Sequence, residues 1–313
     1  MLVLVTGGAG FIGSHLVDAL LERGDQVTVL DNLSNCGEYN LKPHLENQYF
    51  NFIKGDIRDG ATVKRAMREA DAVVHLAAVI SVPLSINDPS TTHEINVQGT
   101  LTLLNASRDA GIKRFVYASS CAVYGEADKL PISENTAPKP LSPYAISKLN
   151  AENSCHAFYE VGEFPAVSLR YFNVYGPGQA GGEYAGVMLK FIERLRNNLP
   201  PIIWGSGNQT RDFIFVEDVV DATLLALERP DLEGEIINIG TMKQTSINEL
   251  CDMFIRMSRN TDIKPTYKDA RSGDIKHSQA DISKAEKLLG FMPRVSVESG
   301  IKILWENTGA IQG

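Results

Sequence analysis

The chain has 313 residues, 43% of them hydrophobic and 22% charged, enough for one large or two modest domains with a proper core. A formal net charge of −8 argues against a nucleic-acid partner, which needs a basic footprint. The four cysteines (Cys36, Cys121, Cys155, Cys251) lack CxxC or Cys/His ligand spacing, so they read as reduced thiols of a cytoplasmic protein, with no metal site expected.

The apolar start "MLVLV" is too short to span a membrane and carries no basic leader, so neither a span nor a signal peptide is expected. The run "LVLVTG" ends in glycines and reads as a strand. "FIGSHLVDALLERG" has apolar residues at helical spacing and stops at Gly24. "QVTVLD" and "YFNFIKGD" predict two further strands, "TVKRAMREA" a helix and "AVVHLAA" a fourth strand. "PSTTHEINVQGTLTLLNASRDAG" predicts one long helix, "KRFVYASS" a fifth strand, "SPYAISKLNAENSCHAFYEVG" another helix and "PAVSLRYFN" a strand. Apolar strands alternating with helices predict an α/β fold: a Rossmann-like doubly wound parallel sheet, with ligands beyond the carboxyl ends of its strands.

After about residue 174 the pattern loosens, and Gly and Pro rise in "VYGPGQAGGEYAG" and "NLPPIIWGSGNQ". Helices recur at "VMLKFIERLRN", "VEDVVDATLLALE" and "INELCDMFIRMS", with one more strand at "EIINIG". The division expected is a dinucleotide-binding domain over 1–174, joined by an interleaved strand near 235–240. A smaller mixed α/β lobe over 175–313 would mainly bind substrate.

"VTGGAGFIG" follows a strand and opens a helix. Gly8, Gly10 and Gly13 fit GxGxxG, and Gly7, Gly10 and Gly13 fit GxxGxxG. Glycines permit a tight turn and let backbone approach a pyrophosphate lying on the helix N-terminus. Asp31 closes the second strand, where its carboxylate can accept from both adenosine ribose hydroxyls and would repel a 2′-phosphate. No arginine follows in "DNLSNCG", so NAD is favoured over NADP. A structural turn with a capping aspartate is the alternative. Asp56, in "GDIRD", stands where adenine would lie, or is simply a turn aspartate.

Tyr144 and Lys148 fall four apart at the start of a helix, so they share a face about 6 Å apart. A cation at ~6 Å and an effective dielectric of ~20 stabilises a phenolate by about 3 kcal/mol. That corresponds to about two pKa units, from near 10 toward 8, which makes the phenol a base near neutral pH. A solvated helix face would carry the same pair. "YASSCAVYG" ends a strand and supplies Ser119 and Ser120 as partners for a moving proton.

With "TGGAGFIG", "DNLSN", "GDIRD", "HLAA", "EINVQGT", "SSCAVYG", "SPYAISK", "RYFNVYGP", "TRDFIFVEDV" and "RSGDIKHSQAD" in this order, the chain resembles the extended short-chain dehydrogenase/reductases. Within them it resembles the UDP-galactose 4-epimerases nearly end to end. The resemblance implies a catalytic Ser120, with Ser119 its structural neighbour, Tyr144 as base and Lys148 tuning the phenol and bonding the nicotinamide ribose. It implies NAD contacts at Phe11, Ile12, Asp31, Asn32, Asn35, Asp56, Ile57, Leu76, Ala77 and Ala78. Asn96 would lie near the cofactor, or else be a core-facing helix amide. Tyr171 and Phe172 would lie near the nicotinamide. Asn173, a backbone contact at Val187, and Arg211, Arg271 and Asp274 would hold the sugar nucleotide. Planar guanidinium forks suit a diphosphate, although either arginine could be a surface ion pair. Asp212 and Asp218 could serve only to cap or orient their loop.

The implied activity is NAD-dependent 4-epimerisation of a UDP-hexose through a 4-keto intermediate. A 4,6-dehydratase would need an acid just before "VYG", where this chain has Cys121 and Ala122. Uronate 4-epimerases and decarboxylases usually differ at Asn173, and the decarboxylases carry a Glu near Ala122. A plain reductase of a small ketone fits poorly with the diphosphate arginines and the large second lobe, and a non-catalytic NAD sensor with an intact Ser120, Tyr144 and Lys148. The small Ser278, where an aromatic would close the sugar pocket, implies that UDP-GlcNAc and UDP-GalNAc are accepted too. Leu189, where proline often stands, and the apolar Val79–Ile80 leave the substrate preference open. The resemblance further implies a homodimer through helices at about 90–110 and 143–161, with no membrane partner.

Overall fold

The computed structural model describes residues 1–179, 186–229, 231–270 and 275–308. The strands are β1 (Leu2–Thr6), β2 (Gln26–Asp31), β3 (Phe50–Lys54), β4 (Ala72–His75), β5 (Arg114–Ser120), β6 (Ala166–Tyr171), β7 (Asn173–Tyr175), β8 (Ile202–Trp204), β9 (Thr210–Arg211), β10 (Phe213–Phe215), β11 (Ile236–Ile239), β12 (Thr245–Ser246) and β13 (Thr266–Lys268). The helices are α1 (Phe11–Glu22), α2 (Gly60–Ala66), α3 (Val82–Asn87), α4 (Pro89–His93), α5 (Gly99–Ala110), α6 (Pro143–Gly162), α7 (Val187–Arg196), α8 (Val216–Glu228), α9 (Ile247–Ser258), α10 (Ser283–Leu289) and α11 (Val297–Asn307).

Seven strands form one sheet in the order β3-β2-β1-β4-β5-β6-β11, and every pair is parallel. The expected α/β, doubly wound sheet is therefore present, and the strand order reverses between β1 and β4, where such folds open a ligand crevice. β1 shows why the strands read as unbroken apolar runs. Val3 and Val5 pack with Leu16, Val17 and Leu20 of α1 and Val219 and Ala222 of α8. Leu4, between them, points to the opposite face, among Val63 of α2, Leu103 and Leu104 of α5 and Ala151 of α6.

A third core lies in the second lobe. There Phe191 and Ile192 of α7, Leu250 and Phe254 of α9 and Leu304 of α11 close over Phe213 and Phe215. β7 pairs in parallel with β10, which brings Asn173 beside Phe213 and joins this lobe to the end of β6. Asp212 and Asp218 orient loops. Asp212 accepts from Thr241 N, Thr241 Oγ1 and Ala280 N, and Asp218 accepts from Arg294 N and Val295 N.

The segment expected as one long helix is broken in register. α4 passes into a π-helical turn over Glu94–Gln98 before α5 begins. The extra residue turns Asn96 inward, where it is buried, and such bulges often accompany functional sites. No helix among the described residues is long and apolar enough to cross a membrane.

Candidate functional site

The three glycines after β1 do different work. Gly7 has φ +73, and a Cβ there would sit 2.6 Å from Ala77 N. At Gly13 a Cβ would lie 2.2 Å from Gly7 O. Both positions therefore let backbone pack on backbone between β1, α1 and the end of β4. At Gly10 a Cβ would meet, among the described residues, only Gly7 O at 3.2 Å, so that surface faces outward. Gly10 caps α1 with no side chain and no acid in the first turn, leaving the amides and the positive helix end open to an anion. Phe11 and Ile12 form that first turn and are half-buried.

Asp31 ends β2 and is fixed from both sides. Its Oδ2 accepts from Ala9 N at 3.1 Å and its Oδ1 from Leu33 N at 2.8 Å. Burial raises its pKa against these two amides. Asn40, which carried no signal in the sequence, donates to Ala9 O at 2.8 Å and so braces the same turn. Asn32 and Asn35 lie exposed on the loop beyond β2. Asp56 is gripped by Arg58, whose guanidinium holds the carboxyl below its ordinary range. Ile57 is buried against Gly99 of α5, where a Cβ would come within 2.5 Å of it. Leu76, Ala77 and Ala78 follow β4, half-buried, and the first two touch the glycine turn.

Asn96 is buried and fulfils the alternative reading of a packed amide. It accepts from Val79 N at 2.8 Å and donates to Val79 O and to Ser147 Oγ, each at 2.9 Å. Behind it lies a relay that sequence reasoning missed. Thr100 Oγ1 donates to Asn96 O at 2.6 Å, so it must accept from His75 Nε2–H at 2.9 Å. His75 Nδ1 is then left to accept from the Thr6 hydroxyl at 2.7 Å. Burial, reinforced by the Lys148 charge, pushes His75 down to about 3, so it stays neutral.

Ser142 starts α6 by accepting from Ala145 N at 3.1 Å, with Pro143 at the first helical position. This sets Tyr144 and Lys148 on one face, toward the end of β5. Ser120 Oγ accepts from Ala122 N at 3.2 Å, and its hydroxyl lies close enough to the Tyr144 phenol to favour ionisation. Lys148 Nζ donates to Ala118 O at 2.8 Å and lies 5.0 Å from the centre of the Tyr117 ring. The expected fall of the Tyr144 pKa toward 8 is corrected here. Burial raises the phenol to about 12, against the smaller lowering influence of Ser120. Burial lowers Lys148 itself to about 8. Desolvation is the largest influence on both groups, and the ammonium is engaged by a carbonyl.

Ser119 points away from Ser120, donating to Glu152 Oε2 at 2.6 Å. Tyr171 and Phe172 are buried, and the Tyr171 hydroxyl pairs with Thr223 Oγ1 at 2.7 Å, on α8. Asn173 Oδ1 is buried without a hydrogen-bond partner among the described residues. Val187 opens α7, whose N-terminus has no side-chain cap. Arg211 ends β9 and donates to Thr210 O at 2.8 Å, and its charge acts on the Cys121 thiol, which burial pushes up to about 12. Ser278 is 5% exposed and donates its backbone N–H to Thr210 O at 3.2 Å, beside Arg211. Arg271 and Asp274 lie outside the described residues. Trp204, Tyr267, Lys268 and Asp269 line a hollow of about 500 Å³.

The sequence pattern of the NAD dependent epimerase/dehydratase family matches residues 3–240. A putative UDP-glucose 4-epimerase from Methanocaldococcus jannaschii is 42% identical, with 96% of each chain covered. The Thermotoga maritima UDP-glucose 4-epimerase, solved with UDP-glucose, has a TM-score of 0.94 at 38% identity over 100% of both chains. A UDP-N-acetylglucosamine 4-epimerase from Methanobrevibacter ruminantium, solved with UDP-N-acetylmuramic acid, has a TM-score of 0.92 at 38% identity over 98% of both chains. Other relatives carry other names: a dTDP-D-glucose 4,6-dehydratase from Mus musculus at 37% identity and a UDP-glucuronic acid 4-epimerase from Bacillus cereus at 34%. With an outward-facing Gly10 on an open helix end, a fixed Asp31, and a serine, a tyrosine and a lysine across the crevice, the chain belongs to the NAD-dependent epimerase/dehydratase family.

Proposed function

We propose that the protein interconverts the C4 epimers of a UDP-hexose, taking UDP-glucose and UDP-galactose and also their 2-acetamido counterparts. The observation that carries this reading is the grouping at the end of β5 of Ser120, whose hydroxyl acts on the Tyr144 phenol, with Lys148, one turn further along α6 and held by Ala118 O at 2.8 Å. In this reading residues 1–174, with β11, hold NAD, and 175–313 mainly hold the sugar nucleotide. Gly7, Gly10, Gly13, Phe11 and Ile12 seat the pyrophosphate, Asp31 takes the adenosine ribose, and Asn32, Asn35, Asp56 and Ile57 border the adenine. Leu76, Ala77, Ala78, Asn96, Tyr171 and Phe172 line the way to the nicotinamide.

When bound, NAD supplies a reversible hydride acceptor and, through its positive ring, a field that favours phenolate. Tyr144 removes the proton of the sugar 4-hydroxyl, with Ser120 sharing it, and later returns it. Lys148 holds the ribose and the phenolate charge. The sugar must then present its other face, so the chain has to grip the nucleotide and leave the hexose free to turn. Arg211 and Arg271 suit the diphosphate, the uncapped start of α7 at Val187 offers amides to it, and Asp274 suits the uridine ribose. The unpartnered Asn173 Oδ1 suits a substrate donor, because a buried carbonyl without a bond is costly. The ring of Trp204 suits stacking of the base. Ser278 leaves room for an acetamido group.

The residues before Tyr124 favour epimerisation over dehydration: Cys121 and Ala122 provide no acid to expel a 6-hydroxyl. The exposed Ile146 and Val161 of α6 support pairing with a second copy through that helix. Incubation of the purified protein with UDP-galactose, with and without added NAD, tests the reading. UDP-glucose is the expected product, whereas a 4-keto-6-deoxy sugar, or no turnover despite bound NAD, would overturn it.

A further inference from the structure

Three consecutive residues at the end of β5 meet three residues spaced four apart on α6. Ala118 O accepts from Lys148 and Ser119 Oγ donates to Glu152, while Ser120, the last of the three, acts on the Tyr144 phenol. Glu152 is completely buried and lies on the same helical face, one turn beyond Lys148. Arg170, opposite Ser119 in the β5–β6 register, grips it with Nε at 2.9 Å and Nη2 at 2.5 Å. The Arg170 guanidinium lies 4.6 Å from the centre of the Tyr124 ring, and Tyr124 donates to Asn238 Oδ1 at 2.7 Å. Asn238 in turn donates to Ile132 O at 2.9 Å and to Asp281 O at 3.3 Å.

From these contacts we infer that Ser119, Glu152 and Arg170 are positioning residues, which lock the strand carrying Ser120 to the helix carrying Tyr144 and Lys148. The inference rests on the proposed roles of Ser120 and Tyr144. The two reacting side chains come from different elements, and their separation follows from how β5 seats on α6. The β5–β6 ladder holds the strand in its sheet up to Ser120, and the Lys148–Ala118 contact ties it to α6 at one point. The Ser119–Glu152 bond, one residue on, adds a second point and so fixes how the strand seats on the helix. Glu152 can serve in this way because Arg170 fixes both carboxylate oxygens and so prevents the carboxylate from rotating. Each of the three is at most 3% exposed.

Ser119→Ala is the informative substitution, because it removes one hydroxyl and leaves the Glu152–Arg170 pair intact. Three quantities are compared with wild type: kcat and KM on UDP-galactose, the phenolate titration of Tyr144 by ultraviolet difference against the matching Tyr144→Phe protein, and the melting temperature. The expected result is a kcat about 10- to 100-fold lower with KM within about twofold, as for a small misplacement of reacting groups. The Tyr144 titration should move to higher pH, and Ser119→Thr, which restores the hydroxyl, should recover both. Unchanged kcat and an unmoved titration in Ser119→Ala would overturn the inference, whatever the melting temperature does. If wild type itself makes no epimer, the functional reading fails, yet the titration still reports whether Ser119 positions Ser120 against Tyr144.

Discussion

Lys148 stands one turn from Tyr144 on α6, yet its ammonium donates to the Ala118 carbonyl at 2.8 Å. The cation is thus stored beside the phenol at a cost, in a buried place that lowers its pKa from 10.5 to about 8.

That cost has a measurable sign in protein stripped of NAD. Between about 8 and 10.5 the unfolded chain keeps a proton that the folded chain has lost. Stability therefore rises with pH across this window, by about 1.4 kcal/mol per unit for a single group. Cysteines titrate nearby in the opposite sense, so the quantity to read is the difference between wild type and Lys148→Met in denaturant midpoints. Lys148→Met should be relatively more stable at pH 7, lose its advantage by pH above 10 and be nearly inactive.

His75 predicts the acid side. Its pKa falls from 6.5 to about 3 on folding. Above 6.5 the neutral ring is free of penalty; as pH falls toward 3 the unfolded chain binds a proton that the folded one refuses, and stability is lost. The slope is about 1.4 kcal/mol per unit in that interval. His75→Gln, whose amide can still donate to Thr100 and accept from Thr6, should flatten this part of the acid denaturation curve. An unchanged slope would contradict the neutral, buried assignment.

Much of the fold was legible because its strands are buried on both faces and its helices on one. Runs such as "LVLVT" and the spacing of Leu16, Val17 and Leu20 announce themselves. The glycine turn, Asp31 and the Tyr144–Lys148 pair were legible from residue type and position in the chain. The π-helical turn at Glu94–Gln98 was not, because one extra residue leaves the apolar pattern nearly intact. The His75 relay and the Ser119–Glu152–Arg170 cluster were also hidden. A charged residue within a strand or helix reads as solvent-facing until its buried partner, distant in sequence, is known. The direction of the Tyr144 shift failed for the same reason: spacing gives the attraction between two groups, but not the desolvation that each suffers.

Asp31 predicts cofactor choice. Its carboxylate is already aimed by Ala9 and Leu33, so little reorganisation is needed to meet a ribose. Asp31→Ser removes charge-assisted bonds worth about 1.5–3 kcal/mol each, and NAD affinity should fall about 10- to 100-fold. Affinity for NADP should fall less, which narrows the preference. Titration calorimetry of both cofactors reads the two changes.

Ser278 predicts substrate breadth. It is buried with its backbone held by Thr210 O at 3.2 Å, and under the proposed function a larger side chain there takes up the room for an acetamido group. Ser278→Tyr should reduce kcat/KM for UDP-GlcNAc by at least about 100-fold and that for UDP-galactose by less than about tenfold. Equal losses on the two substrates would remove this residue from the specificity argument.

The claim that most of this rests on is that hydrogen leaves and returns to carbon 4 without passing through water. UDP-galactose carrying deuterium at carbon 4, converted in ordinary water and analysed by mass and NMR, tests it directly. The label should be retained at carbon 4 of the UDP-glucose formed. Its loss to solvent would mean that the carbon is deprotonated, and the roles given to Tyr144, Ser120 and the cofactor could not stand.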